Sequence, residues 1–344
     1  MIEKPMLRNC LIGVFLLLVG AAHAQGSTPA KKLFGDKPLP ASLTPRSIGF
    51  YSRGCLAGGA AMPVNGPTWQ TMRLSRNRNW GHPDLIAYLK WLAGQAAAKD
   101  GWPGLLVGDM SQPRGGPMLT GHLSHQTGLD ADIWLTPMPN RRLSRKAREQ
   151  LSATAIVKPG PHTVYSNVWT EAHFRLIKRA ASHKRVQRIL VAPGIKKKLC
   201  ESEKGDRRWL RKIRPYYGHN YHMHIRLFCP PGSAGCKAQN ATPADDGCGK
   251  ALAWWYSKAP YAKAKPPPKT PPKPRKEITL AGLPAACRKV LSAADRSDTG
   301  PAPAAYSGKS LPMEGSAPLS AMAPAASLTD LPVPVVPRSR PADR

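Results

Sequence analysis

The chain is 344 residues long, enough for one large domain or two small ones, and carries 51 Lys and Arg against 20 Asp and Glu, a formal net charge of +31. In an intracellular protein that balance points to nucleic acid. Here the first 24 residues exclude that partner: Lys4 and Arg8, an apolar run over 11–20 and Ala22-His23-Ala24 read as the basic region, apolar region and cleavage signal of a secretory leader.

The apolar run is shorter than the about 20 residues a membrane span needs, and no other stretch is apolar enough. The expectation is therefore an exported, soluble protein of the periplasm. Its basic surface suits contact with anionic envelope polymers or lipids. Solubility accounts equally well for most individual lysines. Export also makes the cysteines legible. Beyond Cys10 in the leader, Cys55, Cys200, Cys229, Cys236, Cys248 and Cys287 remain, an even set in an oxidising compartment. No C-x-x-C pair supports a zinc-thiolate cluster. Cys229 and Cys236 flank a Pro-Pro-Gly-Ser-Ala-Gly turn and are partners by proximity, while the other pairings stay open.

In chain order, residues 25–46 are rich in Pro, Lys and Ser and read as a loose N-terminal arm. From Ser47 to Lys258 the composition is globular and holds all nine tryptophans. Residues 82–98 predict a helix: Pro83 suits the first turn, Asp84 favours the positive end, and Leu85, Leu89 and Leu92 share a face. His82 fits a contact at that helix start. Residues 105–110 and 131–135 are apolar runs of strand length. Residues 170–183 predict a second helix, with Phe174, Ile177 and Ala181 on one face and His173 and His183 at the surface. Residues 186–192 are a further strand. Strands and helices alternate without a strict βαβ rhythm, so the predicted class is α+β: a single domain with a central antiparallel sheet carrying a zinc site, flanked by helices and disulfide-stapled loops. A Pro/Lys-rich linker spans 259–278, and its stretch AKAKPPPKTPPKPRK has no apolar face to bury. Cys287 tethers a segment at 279–296, and an Ala/Pro/Ser-rich tail from Ser297 reads as disordered.

Two short words carry the chemistry. In YHMHIRLF, residues 221–228, period-two alternation sends Tyr221, Met223, Ile225 and Leu227 to one face and His222 with His224 to the other. A core strand gains nothing from buried imidazoles without partners, each costing roughly 1–3 kcal/mol. In GHLSHQTGLDADIW, residues 121–134, His125 and Asp132 flank a turn allowed by Gly128. His125, Asp132 and His224 make a borderline ligand set suited to tetrahedral zinc, and three protein ligands leave a position for water. His222, one strand step away, is then placed to take the water's proton or steady an oxyanion. Asp130 either stands behind this set or faces solvent, and Asp109 either bonds a ligand histidine or caps a turn.

GHLSHQTGLDADI followed by HMH resembles the penicillin-insensitive murein endopeptidases, in the wider lysostaphin, D-Ala-D-Ala carboxypeptidase and hedgehog-type group of zinc metallopeptidases. The likeness extends through Ser47-Ile48-Gly49, Gly54-Cys55, the run from Arg78 to Leu85, Gly108-Asp109-Met110, the run from Asp206 to Lys212 and Asp246-Gly247-Cys248-Gly249. The resemblance implies that His125, Asp132 and His224 bind zinc, that His122 is a further metal-binding histidine, and that His222 and His219 are catalytic. It places His162 in a loop that holds a second ion in the family, but the aspartate expected beside it is missing, so one catalytic ion is expected. It also implies the pairs Cys55–Cys287, Cys200–Cys248 and Cys229–Cys236.

The reading is a zinc metalloendopeptidase that hydrolyses D-alanyl-diaminopimelate cross-links in peptidoglycan. The rivals are a D,D-carboxypeptidase or other amidase on the same scaffold, and a wall-binding protein that keeps its metal only for folding.

Overall fold

The structure, a computed structural model, describes residues 28–159, 162–261 and 277–296. The expected leader, the 262–276 part of the linker and the tail from Ser297 lie outside them. The first half forms α1 (Ala30–Gly35), β1 (Arg46–Phe50), β2 (Arg53–Ala57), β3 (Ala60–Ala61), β4 (Asn65–Gly66), β5 (Trp69–Thr71), β6 (Trp80–Gly81), α2 (Pro83–Lys99), β7 (Leu105–Val107) and β8 (Asp130–Trp134). There follow α3 (Arg145–Gln150), α4 (Glu171–Ser182), β9 (Val186–Val191), α5 (Pro193–Ser202), β10 (Ile213–Pro215), β11 (His222–Leu227), α6 (Lys250–Trp255) and α7 (Ala286–Ser292).

The result is one mixed α/β domain around a seven-stranded sheet of order β10-β9-β11-β8-β7-β5-β4. Its middle, β9-β11-β8-β7, is antiparallel as expected, but β10 runs parallel to β9 and β5 parallel to β7. Parallel neighbours need a crossover rather than a hairpin. The chain between β5 and β7 contains α2, and that between β9 and β10 contains α5. Strands of three residues carry too little periodicity to betray this arrangement.

Helix α2 is set by its own sequence. His82 is its N-cap, with Nδ1 accepting from Asp84 N at 3.2 Å, and Pro83 opens the first turn. Leu85, Tyr88, Leu89, Leu92 and Ala96 are buried, the spacing of one helix face. They join Leu176 and Ile177 of α4, Leu105 and Val107, Ala131 and Ile133, and Met223 and Ile225 in the main core. The alternate residues of β8 and β11 face the other way, and that second face carries Asp130, Asp132, His222 and His224. His173, expected at the surface, is buried: its Nε2 donates to Leu135 O at 3.1 Å and its Nδ1 accepts from Thr170 N. A capping box with Thr170 draws it inward.

A second core forms beneath the hairpin of β1 and β2. Phe34, Ala41, Ile48, Cys55 and Ala57 pack there with Leu283, Cys287 and Val290. The segment expected as a loose arm thus contributes α1, whose Phe34 is fully buried. Its partner is α7, more than two hundred residues away, which no local composition reveals. The three disulfides are Cys55–Cys287, Cys200–Cys248 and Cys229–Cys236, the pairing implied by the resemblance. No helix among the described residues is long and apolar enough to cross a membrane.

Candidate metal centre

The site is built by strand register. β11 and β8 pair so that His224 lies opposite Asp132, His222 opposite Trp134 and Arg226 opposite Asp130. Residues opposed across an antiparallel pair have side chains about 4.5–5.5 Å apart, so this register brings the H-x-H word to the D-x-D word. His224 Nδ1 lies 3.2 Å from Asp132 Oδ1. Its Nε2 lies 2.7 Å from Asp130 Oδ1, which also accepts from Arg226 Nε at 2.6 Å. Burial pushes the Asp130 carboxyl up, but Arg226 and His224 outweigh it and hold the group ionised. An ionised carboxylate accepts, so His224 Nε2 donates to Asp130 and Nδ1 is the ring atom that faces Asp132.

The turn before β8 supplies the third donor. His125 has φ of +67° and Gly128 has φ of +72°. At Gly128 a Cβ would meet Leu56 Cδ2 at 2.7 Å and His82 N at 2.9 Å, so only glycine fits. Gly128 O accepts from His82 N at 2.8 Å, tying this turn to the start of α2. His125 is fully buried, with Nε2 3.5 Å from Asp132 Oδ1. His122 comes from the more open edge, 3.5 Å from Asp132 Oδ2 and 3.1 Å from Asp109 Oδ2. One potential ligand atom from each of His122, His125 and Asp132 lies within 4.8 Å of the others.

Both ring nitrogens of His125, Asp132 Oδ1 and His222 Nδ1 are buried with no hydrogen-bond partner. Buried polar atoms are normally satisfied. An imidazole offers an ion one nitrogen, and of these atoms His125 Nε2 and Asp132 Oδ1 face each other at 3.5 Å and match a cation site. Donors bound tetrahedrally at about 2.0–2.1 Å stand roughly 3.3–3.5 Å apart, and the 3.2 and 3.5 Å separations from Asp132 Oδ1 agree. Burial opposes the Asp132 charge, yet His125, His222 and His122 hold its carboxyl well below the usual range. Burial lowers the pKa of His125.

His222 and His219 adjoin the set. His222 Nε2 is 3.7 Å from Asp132 Oδ1, and the two rings are 4.7 Å apart. Burial takes His222 down to about 4 and His219 to about 3, so both are neutral at pH 7. His219 Nδ1 donates to Tyr217 O at 2.6 Å, which leaves Nε2 as the acceptor. All six expected site residues, His122, His125, Asp132, His219, His222 and His224, therefore meet on one face. His162 does not join a donor cluster among the described residues; its ring stacks on Tyr261 at 4.6 Å.

Sequence reasoning missed Arg76 and Arg78, and left two readings open for Asp109 and for Asp130. Arg76 and Arg78 each donate to Asp109 Oδ2 at 3.0 Å, beside His122. Burial raises the Asp109 carboxyl, but the His122 bond and the two arginines bring it to about 2. Asp109 thus bonds a histidine of the site. Asp130 stands behind His224, and its i, i+2 spacing from Asp132 was the available signal.

Residues 47–292 match the family described as penicillin-insensitive murein endopeptidase. The chain belongs to that family. Relatives bearing the name include a Haemophilus influenzae protein, 44% identical over 240 residues, covering 69% of this chain and 83% of its own. One from Klebsiella pneumoniae is 38% identical over 285 residues, 83% of this chain and 98% of its own. One from Escherichia coli K12 is 38% identical over 276 residues, 80% and 95% respectively. The penicillin-insensitive murein endopeptidase match spans both sheet faces and all three disulfides, so it covers the entire site described above.

Proposed function

We propose that the protein is a zinc-dependent murein endopeptidase of the periplasm that hydrolyses D-alanyl-diaminopimelate cross-links. The observation that carries the reading is the pair of buried, unpartnered donor atoms His125 Nε2 and Asp132 Oδ1, 3.5 Å apart. Each such atom costs about 1–3 kcal/mol if nothing binds it. His125, Asp132 and His224 would hold the ion, with His122 at the open edge. A bound zinc ion lowers the pKa of its water toward about 7 and polarises the scissile carbonyl.

The chain's own residues do the rest. Asp130 fixes the tautomer of His224 and aims its lone pair. Neutral His222 accepts the proton released as water adds to the carbonyl carbon, and returns it to the amine as the C–N bond breaks. His219, held by Tyr217 O, keeps a second lone pair beside His222. Every described cysteine is in a disulfide, so no thiol competes as nucleophile. A reaction without an acyl-enzyme offers penicillin no serine to acylate.

Purified cross-linked dimeric muropeptides, digested and followed by mass, test the proposal. The expected products are monomers, with activity lost on chelation and restored by zinc. A dimer that persists with zinc supplied overturns it. Loss of terminal D-Ala from a monomeric pentapeptide, with dimer left intact, would assign a carboxypeptidase instead.

A further inference from the structure

Helix α6 has six residues, of which only Leu252 is buried, yet it ends in Trp254 and Trp255. Packing does not explain Trp254, which is 47% exposed. The helix begins just after Cys248, whose bond to Cys200 of α5 fixes it to the domain. Opposite it, the turn between β10 and β11 presents Tyr216, 50% exposed, and Tyr217.

These rings form an unbroken file. Trp254 and Trp255 have centroids 5.0 Å apart, Trp255 and Tyr217 4.8 Å, Tyr217 and Tyr216 6.1 Å, and Tyr216 and His219 5.6 Å. The interplanar angles run from 64° to 86°, the edge-to-face arrangement that aromatic quadrupoles favour. Tyr217 is held further by its hydroxyl, which donates to Pro260 O at 2.7 Å. The file thus starts at His219, inside the site, and leads out to solvent with its rings already oriented. Oriented rings lose little freedom when a ligand lands on them.

The geometry points to a saccharide-binding ledge running from His219 through Tyr216 and Tyr217 to Trp254. A pyranose presents a face of weakly positive C–H groups to the negative face of an aromatic ring, while its hydroxyl edge stays in water. Half-exposed rings with no charged side chain in the file suit that neutral ligand. The identity of the sugar, an N-acetylated hexosamine of the glycan strand that bears the cross-linked peptides, rests on the endopeptidase reading.

Two measurements on the full-length, disulfide-bonded protein test the ledge. In calorimetry with the N-acetylglucosamine tetramer, the parent shows saturable binding. Trp254→Ala and Tyr216→Ala weaken it roughly five- to tenfold, and Trp254→Phe keeps most of it. No saturable binding, or unchanged binding in both alanine variants, overturns the ledge. In kinetics, the cross-linked dimer bearing its disaccharides is compared with the same dimer stripped of sugar. The parent KM is lower for the sugar-bearing dimer by about fivefold or more, and in Trp254→Ala that ratio falls toward one. Equal KM values in the parent overturn the ledge. If the parent cleaves neither dimer, the endopeptidase reading fails while calorimetry still decides whether sugar binds.

Discussion

Arg114 and His125 are both fully buried polar side chains, and they are treated in opposite ways. Arg114 donates to Leu39 O, Val290 O, Leu291 O and Ala293 O and to Asp295 Oδ1, so the second core keeps α7 and the N-terminal segment bound through one guanidinium. His125 has neither ring nitrogen satisfied. Burial with every bond made is how a fold secures its parts, whereas burial with bonds withheld reserves them for a ligand.

The comparison breaks first at the site. His125→Ala and Asp132→Ala are expected to lower muropeptide cleavage by at least about 10³-fold and to abolish bound metal, read by elemental analysis, while circular dichroism stays that of the parent. Variants that fold, retain metal and remain active would erase the contrast. The mirror experiment is Arg114→Met. It leaves buried carbonyls unpaired and is expected to cost about 3–5 kcal/mol in urea unfolding, with metal per folded molecule unchanged. Asp130→Asn sharpens the boundary between the two regions. Losing the anion behind His224 should weaken metal affinity about 10- to 100-fold in chelator competition.

The smallest effect concerns His173, buried like His125 but fully bonded. Burial lowers its folded pKa to about 4. The unfolded chain therefore binds a proton that the folded chain refuses as pH falls from about 6.5 to 4, and stability drops through that window. Between pH 7 and pH 5 the loss is about 2 kcal/mol for this group. His173→Gln should flatten that part of the urea-midpoint profile, and an unchanged slope would remove His173 from the explanation.

What was legible in the sequence follows from range. The helix expected over 82–98 is found at Pro83–Lys99 because His82, Pro83, Asp84 and the leucine spacing all act locally. The H-x-H face was readable because strand alternation is local too, and the likeness to a known family supplied His122 and His219. The parallel flanks of the sheet, the burial of Phe34 against α7, and the grip of Arg76 and Arg78 on Asp109 depend on distant partners. None leaves a periodic trace. His173 was misplaced because helical spacing names a face, and a capping bond can turn one side chain off it.

The bond between Cys55 and Cys287 spans 232 positions of sequence. Backbone and sulfur together make a covalent ring that includes the sheet, the histidine face and the lysine-rich stretch 262–276. A protease that nicks any one peptide bond inside that ring opens the loop without releasing a fragment, so the nicked chain migrates intact on a gel until reductant is added.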